Sequence, residues 1–489
     1  MLNKWKQTIS KFVCFVLTCQ LFILTTWAKP DWPSDTGIMA EAGIVMDMDS
    51  GAILYGQNIH LTYPPASITK ILTALIVLEN CNLDDTVTFS TTAVNQVEAD
   101  SGNKISVVAG DQLSVEDCLY SMLLVSCNQA ANALAEHTAG SISAFVNMMN
   151  EKLAQLGCQE SHFENPSGLN GDNQYVSAYD MALIAQAAYD NETLVEISSA
   201  TTHKIAPTTQ NPDGFTIRGE HRLCVTEDPS SPYYYPEAIA GKTGYLIKAG
   251  NTLVTYAVKD NRRLVSVILK GQPRQYFVDG KALLEFGFRS FQHYTVADYE
   301  SRYVTGNETI NLDKGSFQAS DLMIDPDSVI TLPNSASFED ADITLGALPE
   351  ISPDNAVALL TYSYNDRTIG TAYLLAKDGV TIDGNDSASE AATTAFDTAN
   401  AEAPLATASN AEKPQRPHKH ISVAGVLITI LIVLLVLGVI GLISWFIYSK
   451  KKEAKALAKR RERRRQRLQR SGDEEEFERL LAEYKNKKK

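Results

Sequence analysis

Helix-period and strand-period stretches alternate between residues 40 and 290. Short apolar runs at 42–46 and 52–55 flank Asp49-Ser50-Gly51, which predicts a hairpin. In 67–79, Ile68, Ile71, Leu72, Leu75 and Leu78 recur three and four apart, which predicts a helix. Pro64 and Pro65 end the extended segment before it. Residues 115–124 and 130–137 predict two helices separated by Val125-Ser126-Cys127-Asn128, and 143–156 predicts another. Residues 252–258 and 264–269 alternate or run apolar around Lys259-Asp260-Asn261-Arg262, an antiparallel hairpin signal. The mixture predicts an α/β domain over 29–292. From 297 to 383 the pattern changes to short β-type runs between Asp, Asn, Gly and Pro turns, which predicts a small all-β domain. Residues 384–420 are rich in Ala, Thr, Ser, Asp and Glu, with Pro404, Pro414 and Pro417, and read as a flexible stalk.

Two further stretches are apolar enough to concern a membrane. Lys4, Lys6 and Lys11 precede the run from Phe12 to Leu24, and Thr26-Trp27-Ala28 follows it, so 1–28 reads as a secretory signal peptide. Residues 421–448 hold no charged side chain; as a helix they would span roughly 42 Å and cross a bilayer with some tilt. Residues 450–489 hold 17 Lys/Arg against 8 Asp/Glu. The positive-inside bias therefore predicts a basic cytoplasmic tail at 449–489, lying against anionic lipid, and an extracellular body before it, on a single-pass cell-membrane protein.

Composition narrows the class. The chain has 489 residues, 44% of them hydrophobic, which excludes full disorder. Its net charge is −15 despite the basic tail, so the body is acidic and lacks the basic face of a nucleic-acid-binding domain. Cys14 and Cys19 fall in the signal; Cys81, Cys118, Cys127, Cys158 and Cys224 form no CxxC pair and read as buried thiols. The eight histidines form no HExxH, so neither a metal nor another cofactor is expected.

Three short motifs carry candidate chemistry. Ser67-Ile68-Thr69-Lys70 opens the first helix, and its spacing puts the lysine amine on the face of the serine hydroxyl. A serine needs a base to take its proton, and a lysine serves when burial or a neighbouring cation strips its charge. Ser126-Cys127-Asn128 sits on an inter-helix turn, with a second hydroxyl to relay a proton and an amide to hold lysine and substrate. Lys242-Thr243-Gly244 begins the strand running into the 252 hairpin; Lys and Thr suit a carboxylate, and Gly lets a substrate backbone approach closely. Singly, each has an ordinary alternative: a chance spacing, a capping turn, a turn with a solvated lysine. Together, in this order and these contexts, they point to acyl transfer.

The set resembles the penicillin-recognising serine DD-peptidases, in particular the low-molecular-mass D-alanyl-D-alanine carboxypeptidases of the S11 peptidase family. Leu61 to Leu75 is similar to that family's nucleophile segment. Asn165-Pro166-Ser167-Gly168-Leu169 and Ser177-Ala178-Tyr179-Asp180-Met181-Ala182 are similar to its middle signature, and Gly241 to Gly250 to its strand motif. The resemblance covers roughly residues 38–290 and implies an antiparallel sheet flanked by helices, then a β-rich module and an anchor. It also implies attack by Ser67 on the bond between two D-alanines of a peptidoglycan stem peptide, with Lys70 as base and Ser126 as relay. Asn128 would hold the peptide, Lys242 and Thr243 its terminal carboxylate, and the N–H groups of Ser67 and Tyr245 the oxyanion. β-Lactams would be inhibitors.

The chain departs from the family pattern in two places. Where many members carry an Arg ahead of a Phe near the last helix, this chain has Tyr276-Phe277, with Arg274 as the substitute. Asn173-Gln174-Tyr175-Val176 replaces a common His-Tyr-Ser-Thr. A β-lactamase shares the motifs and needs a deacylating carboxylate, for which Glu164 is the candidate. A non-enzymatic β-lactam or wall-fragment receptor is the other alternative; a Ser-His-Asp hydrolase is disfavoured by the absence of a GxSxG elbow.

Overall fold

Asp260 and Asn261 take positive φ values, 50° and 60°, which suit a two-residue turn between right-twisted strands, and the hairpin predicted around them forms. The structure, a computed structural model, describes residues 29–98, 101–349 and 351–382. The signal, stalk, apolar 421–448 stretch and basic tail lie outside the described residues. Among those described, no helix is long and apolar enough to cross a membrane.

That hairpin belongs to an antiparallel sheet of β1 (Ala42–Asp47), β2 (Ile53–Gln57), β3 (Ala238–Leu246), β4 (Gly250–Lys259) and β5 (Arg262–Gly271), in the order β2-β1-β5-β4-β3. β1 inserts beside β5, pairing Ala42 with Leu269 and Asp47 with Leu264, so the start of the domain is held by its end. Lys242-Thr243-Gly244 does not begin the hairpin strand, as the sequence suggested. It lies within β3, a separate edge strand that pairs Gly244 with Thr252 and Lys242 with Val254.

The helices explain why β4 and β5 read as near-continuous apolar runs. α1 (Lys70–Asn80), α2 (Val115–Leu124), α3 (Asn128–Ala139), α4 (Ile142–Gln155) and α5 (Ala178–Tyr189) gather on one face; α6 (Gln275–Ser290) covers the other. Ser114, Ser141 and Ser177 cap α2, α4 and α5 by accepting from the N–H groups of Asp117, Ala144 and Asp180. Strand parity then divides the core. Val254, Tyr256, Val265 and Val267 pack with Ile71, Leu72 and Met181, while Leu253, Ala257, Leu264 and Ile268 pack with Leu283, Leu284 and Phe286 under α6. A strand buried on both faces needs apolar residues at both parities. α1 is enclosed, with every residue from Lys70 to Val77 buried. The predicted helix start differs slightly: Ala66–Thr69, which contains Ser67, is a 3-10 turn, and the α-helix begins at Lys70.

β-structure resumes at Phe291, six residues before the predicted boundary, because α6 runs to Ser290 and feeds directly into β6 (Phe291–Thr295). β7 (Leu322–Ile324), β8 (Val329–Pro333), β9 (Asp342–Gly346), β10 (Ala356–Tyr364) and β11 (Arg367–Ala376) follow; β6 pairs with β8, and the others form a sheet in the order β7-β11-β10-β9. One short helix, Val296–Tyr299, interrupts the strands. Phe317, Leu322, Ile330, Leu360 and Tyr362 make a core of their own.

A buried polar knot joins this region to the catalytic sheet. Asp47, at the end of β1, is fully buried. Its Oδ1 accepts from the N–H groups of Asp49 and Ser50; its Oδ2 lies 2.6 Å from His293 Nε2 and 3.5 Å from Arg262. Burial alone would raise the Asp47 pKa, but the His293 hydrogen bond and the His293 and Arg262 charges outweigh it and hold the pKa below the ordinary carboxylate value. Trp32 reinforces the join, donating to the Leu54 carbonyl at 2.9 Å with its ring 4.9 Å from that of Phe291. Asp47→Asn is expected to lower stability by about 2 kcal/mol at neutral pH, the scale of a charge-assisted hydrogen bond. Because the folded pKa is lowered, this contribution is complete above the unfolded carboxylate value and disappears as pH falls through the folded one. Denaturant unfolding at pH 7 and near pH 3 checks it: the gap between parent and variant must narrow on acidification, and a constant gap refutes the assignment.

Candidate active site

The three sequence motifs meet at the N-terminal end of α1. Ser67 is partly exposed on its 3-10 turn while Lys70, one turn on, is fully buried. Lys70 Nζ lies 3.0 Å from Ser67 Oγ, 2.7 Å from Asn128 Oδ1 and 2.5 Å from the Ser167 carbonyl oxygen. A neutral amine has two N–H donors, which the two carbonyl oxygens take, leaving its lone pair toward the Ser67 hydroxyl. Burial foremost, and then the charge of Lys242, push the Lys70 pKa well below the ordinary lysine value.

Asn128 reaches the site from an unusual turn that also carries Ser126. Ser126 has φ 64°, a left-handed conformation that costs a non-glycine residue about 1 kcal/mol or more. The cap of α3 is neither Ser126 nor Asn128 but Cys127, whose buried sulfur accepts from the Ala130 N–H at 3.4 Å. Both polar side chains of the motif are thus released from capping, and Asn128 faces Lys70. Burial raises the Cys127 thiol to about 11, so it stays protonated.

β3 closes the other side. Gly244 packs on the nucleophile's turn so tightly that an added Cβ would crowd the Ser67 nitrogen and Thr252 Oγ1. Thr252 in turn donates to the Pro65 carbonyl at 2.9 Å, tying β4 to the segment before Ser67. Lys242 is buried, donating to the Thr243 carbonyl at 2.9 Å. Burial lowers its pKa to about 8, with Glu220 opposing the shift and Lys104 adding to it. His221 lies beneath this strand, donating from Nε2 to the Val254 carbonyl at 3.1 Å; burial brings its pKa down to about 4, so it is neutral beside the lysine. Thr243 is half-buried and Tyr245 exposed on the same strand.

Arg274 stands apart. It is exposed at the head of α6 with φ 63° and makes no hydrogen bond to the cluster. Glu164 is also exposed, accepting from the Asn173 N–H at 3.1 Å rather than approaching the lysine.

Several contributors lie outside the three motifs, some of them in the Asn165–Leu169 segment that resembles the family's middle signature. Ser167 acts through its main chain. The loop presenting it is held by Asn165 Oδ1, which accepts from the N–H groups of Ser167, Gly168 and Leu169. Gln174, from the departing Asn173–Val176 stretch, is buried; its Oε1 accepts from the Glu164 and Asn165 N–H groups and its Nε2 donates to the Leu169 carbonyl. Gly168, with φ 80°, packs so closely on Ala66 that a Cβ would fall on the Ala66 carbonyl. Thr73, one turn beyond Lys70, donates to the Pro166 carbonyl at 2.7 Å.

The arrangement sets a partly exposed serine 3.0 Å from a buried lysine whose charged form burial disfavours, with a second buried lysine on the facing strand. The family model for S11 peptidases, D-alanyl-D-alanine carboxypeptidase, matches residues 29–272. D-alanyl-D-alanine carboxypeptidase DacB2 of Mycobacterium tuberculosis is 35% identical over 265 residues, spanning 53% of this chain and 84% of the relative. D-alanyl-D-alanine carboxypeptidase DacA of Haemophilus influenzae is 30% identical over 357 residues, spanning 69% and 84%. A crystal structure of D-alanyl-D-alanine carboxypeptidase from Mycobacterium tuberculosis shares 32% identity over 53% of this chain and 93% of that one, with a TM-score of 0.46. With residues of its three motifs brought together at the N-terminal end of α1 and these relatives matched over most of their own length, the chain belongs to the S11 family of D-alanyl-D-alanine carboxypeptidases.

Proposed function

We infer that the chain is a serine-type D-alanyl-D-alanine carboxypeptidase that removes the terminal D-alanine from peptidoglycan stem pentapeptides. One observation carries the mechanism: the buried Lys70 amine lies 3.0 Å from Ser67 Oγ with its two N–H donors already engaged. Ser67 Oγ attacks the carbonyl between the D-alanines as Lys70 Nζ takes its proton. The oxyanion that forms is held by the N–H groups of Ser67 and Tyr245. The proton passes through Ser126 to the departing amine as the C–N bond breaks, and water then hydrolyses the Ser67 ester. Lys242 and Thr243 hold the terminal carboxylate, and Asn128 the peptide and Lys70. Arg274 is kept as an accessory to the carboxylate, supported only by the family's Arg near this helix. β-Lactams acylate the same serine and inhibit.

The surroundings follow from the sequence pattern. A signal at 1–28 exports the domain, a β-rich domain at 297–383 and a stalk at 384–420 extend it from the surface, and 421–448 anchors it in the cell membrane. The tail at 449–489 stays in the cytoplasm against anionic lipid. Hydropathy and the Lys/Arg excess after residue 449 support this arrangement.

Fluorescent penicillin tests the chemistry. Parent protein should be labelled covalently and Ser67→Ala should not; retained covalent label in the variant refutes the nucleophile. The acylation rate should fall on the alkaline side with an apparent pKa near 8, as Lys242 loses the charge that holds the carboxylate. Lys242→Arg, always charged, should lose that limb even where its absolute rate is lower; an unchanged limb assigns the titration elsewhere. Gly168→Ala should slow acylation on the order of a hundredfold by displacing the loop that presents the Ser167 carbonyl, with far-UV circular dichroism checking that the fold persists. A folded variant with parent-like acylation removes that carbonyl from the mechanism.

A further inference from the structure

Beyond Lys242-Thr243-Gly244, β3 runs into a rim whose side chains, Arg274 aside, the acyl-transfer step does not use. Tyr245 and Ile247 are 63% and 88% exposed there, and Lys248 is exposed in the turn into β4. Lys270, at the end of β5, donates to the Lys248 carbonyl at 2.5 Å, which brings a second ammonium to that turn. Gly271 pairs with Asn251, and Asn251 with Tyr245, so Arg274 at the head of α6 follows at the same end of the sheet. Among the described residues none of these three cations is in an ion pair. Glu41, whose N–H donates to the Lys270 carbonyl at 3.5 Å, is an acid on the adjoining strand end. Among the described residues, Lys248, Lys270 and Arg274 against Glu41 leave this rim positive on a protein of net charge −15.

Substrate direction decides what meets this rim, and here the inference rests on the carboxypeptidase reading. With the terminal carboxylate at Lys242 and Thr243 and the scissile carbonyl at Tyr245, the peptide lies antiparallel along the free edge of β3. Its N-terminal part therefore runs toward Lys248. At about 3.4 Å per residue, the residue before the two D-alanines lies beside Leu246 and Ile247. A four-carbon side chain there extends about 5 Å further, within reach of Lys248. We propose that Lys248, with Lys270 behind it, selects stem peptides whose third residue is a diamino dicarboxylic acid, binding its distal carboxylate. A lysine at that position presents only an ammonium, which the rim repels. Tyr245 and Ile247 form the apolar shelf for the methylene stem.

The test compares two soluble pentapeptides that differ only in the third residue, meso-diaminopimelate or L-lysine. The full chain in detergent is assayed for released D-alanine at roughly 50 mM and roughly 500 mM salt. The dicarboxylic peptide should be favoured in kcat/KM by about three- to fivefold at low salt, the scale of an exposed ion pair. The ratio should approach one at high salt, fall to one in Lys248→Gln and drop below one in Lys248→Glu. Each ratio comes from one preparation, so partial misfolding lowers both values and leaves it unchanged. A ratio near one for the parent at low salt, or one that Lys248→Glu does not move, overturns the proposal. Release of D-alanine from neither peptide would overturn the carboxypeptidase reading itself.

Discussion

An ammonium group buried in a protein interior without a counter-ion is costly, and burial pulls its pKa down. Lys70 is the most strongly placed such group here, and much of the architecture keeps it buried, with its pKa well below the ordinary lysine value. α1 is enclosed from Lys70 to Val77, so the amine has no route to solvent along its own helix. The two oxygens beside it are carbonyls of an amide side chain and a main chain, Asn128 and Ser167, which accept from a neutral amine without favouring the charged form as a carboxylate would. Glu164, the carboxylate closest in sequence to that loop, is turned outward to the Asn173 N–H. The base and its exclusion from water are therefore one construction.

Lys242 meets the same interior with a different outcome. Both lysines are buried, yet Lys242 is brought down only to about 8 because Glu220 opposes the shift, whereas Lys70 has no facing carboxylate and is pushed further by Lys242 itself. Burial lowers the pKa of both lysines; the charge of Lys242 lowers that of Lys70 further, while Glu220 opposes the shift at Lys242.

Local spacing made part of this legible in the sequence. Ser67 and Lys70 share a helix face at i and i+3, and Asp260-Asn261 is a turn whose residues tolerate positive φ. What escaped depended on contacts between distant segments or on the main chain. The Ser167 oxygen is a backbone atom, so no residue type announces it; Gln174 sits in a stretch noticeable only as a departure, and its role is to hold the loop that presents that oxygen. Cys127 reads as an inert thiol in the middle of a motif, yet by capping α3 it releases Ser126 and Asn128. The edge strand holding Lys242 was merged with its neighbour because Leu246 to Gly250 gives little sign of where one strand ends and the next begins. Asp47 and His293 are 246 positions apart, and nothing local predicts that they touch.

The order β2-β1-β5-β4-β3 places the two polar devices of the sheet at different ends. The Asp47 knot sits on β1, where the β-rich region is fastened; the catalytic cleft opens on β3, three strands away. β5 and β4, between them, are packed on both faces by side chains at every position from Leu264 to Leu269 and from Leu253 to Ala257. Such a close-packed slab resists small deformations. The slab therefore separates the join to the β-rich region from the free edge of β3. The edge must stay free for a substrate to pair with it, and an exposed strand edge is otherwise a hazard for association with other chains. Here its inner part is covered by the turn of Ser67 packed against Gly244, and its outer part carries the unpaired Lys248. Pairing is thereby restricted to a short peptide that can enter the cleft.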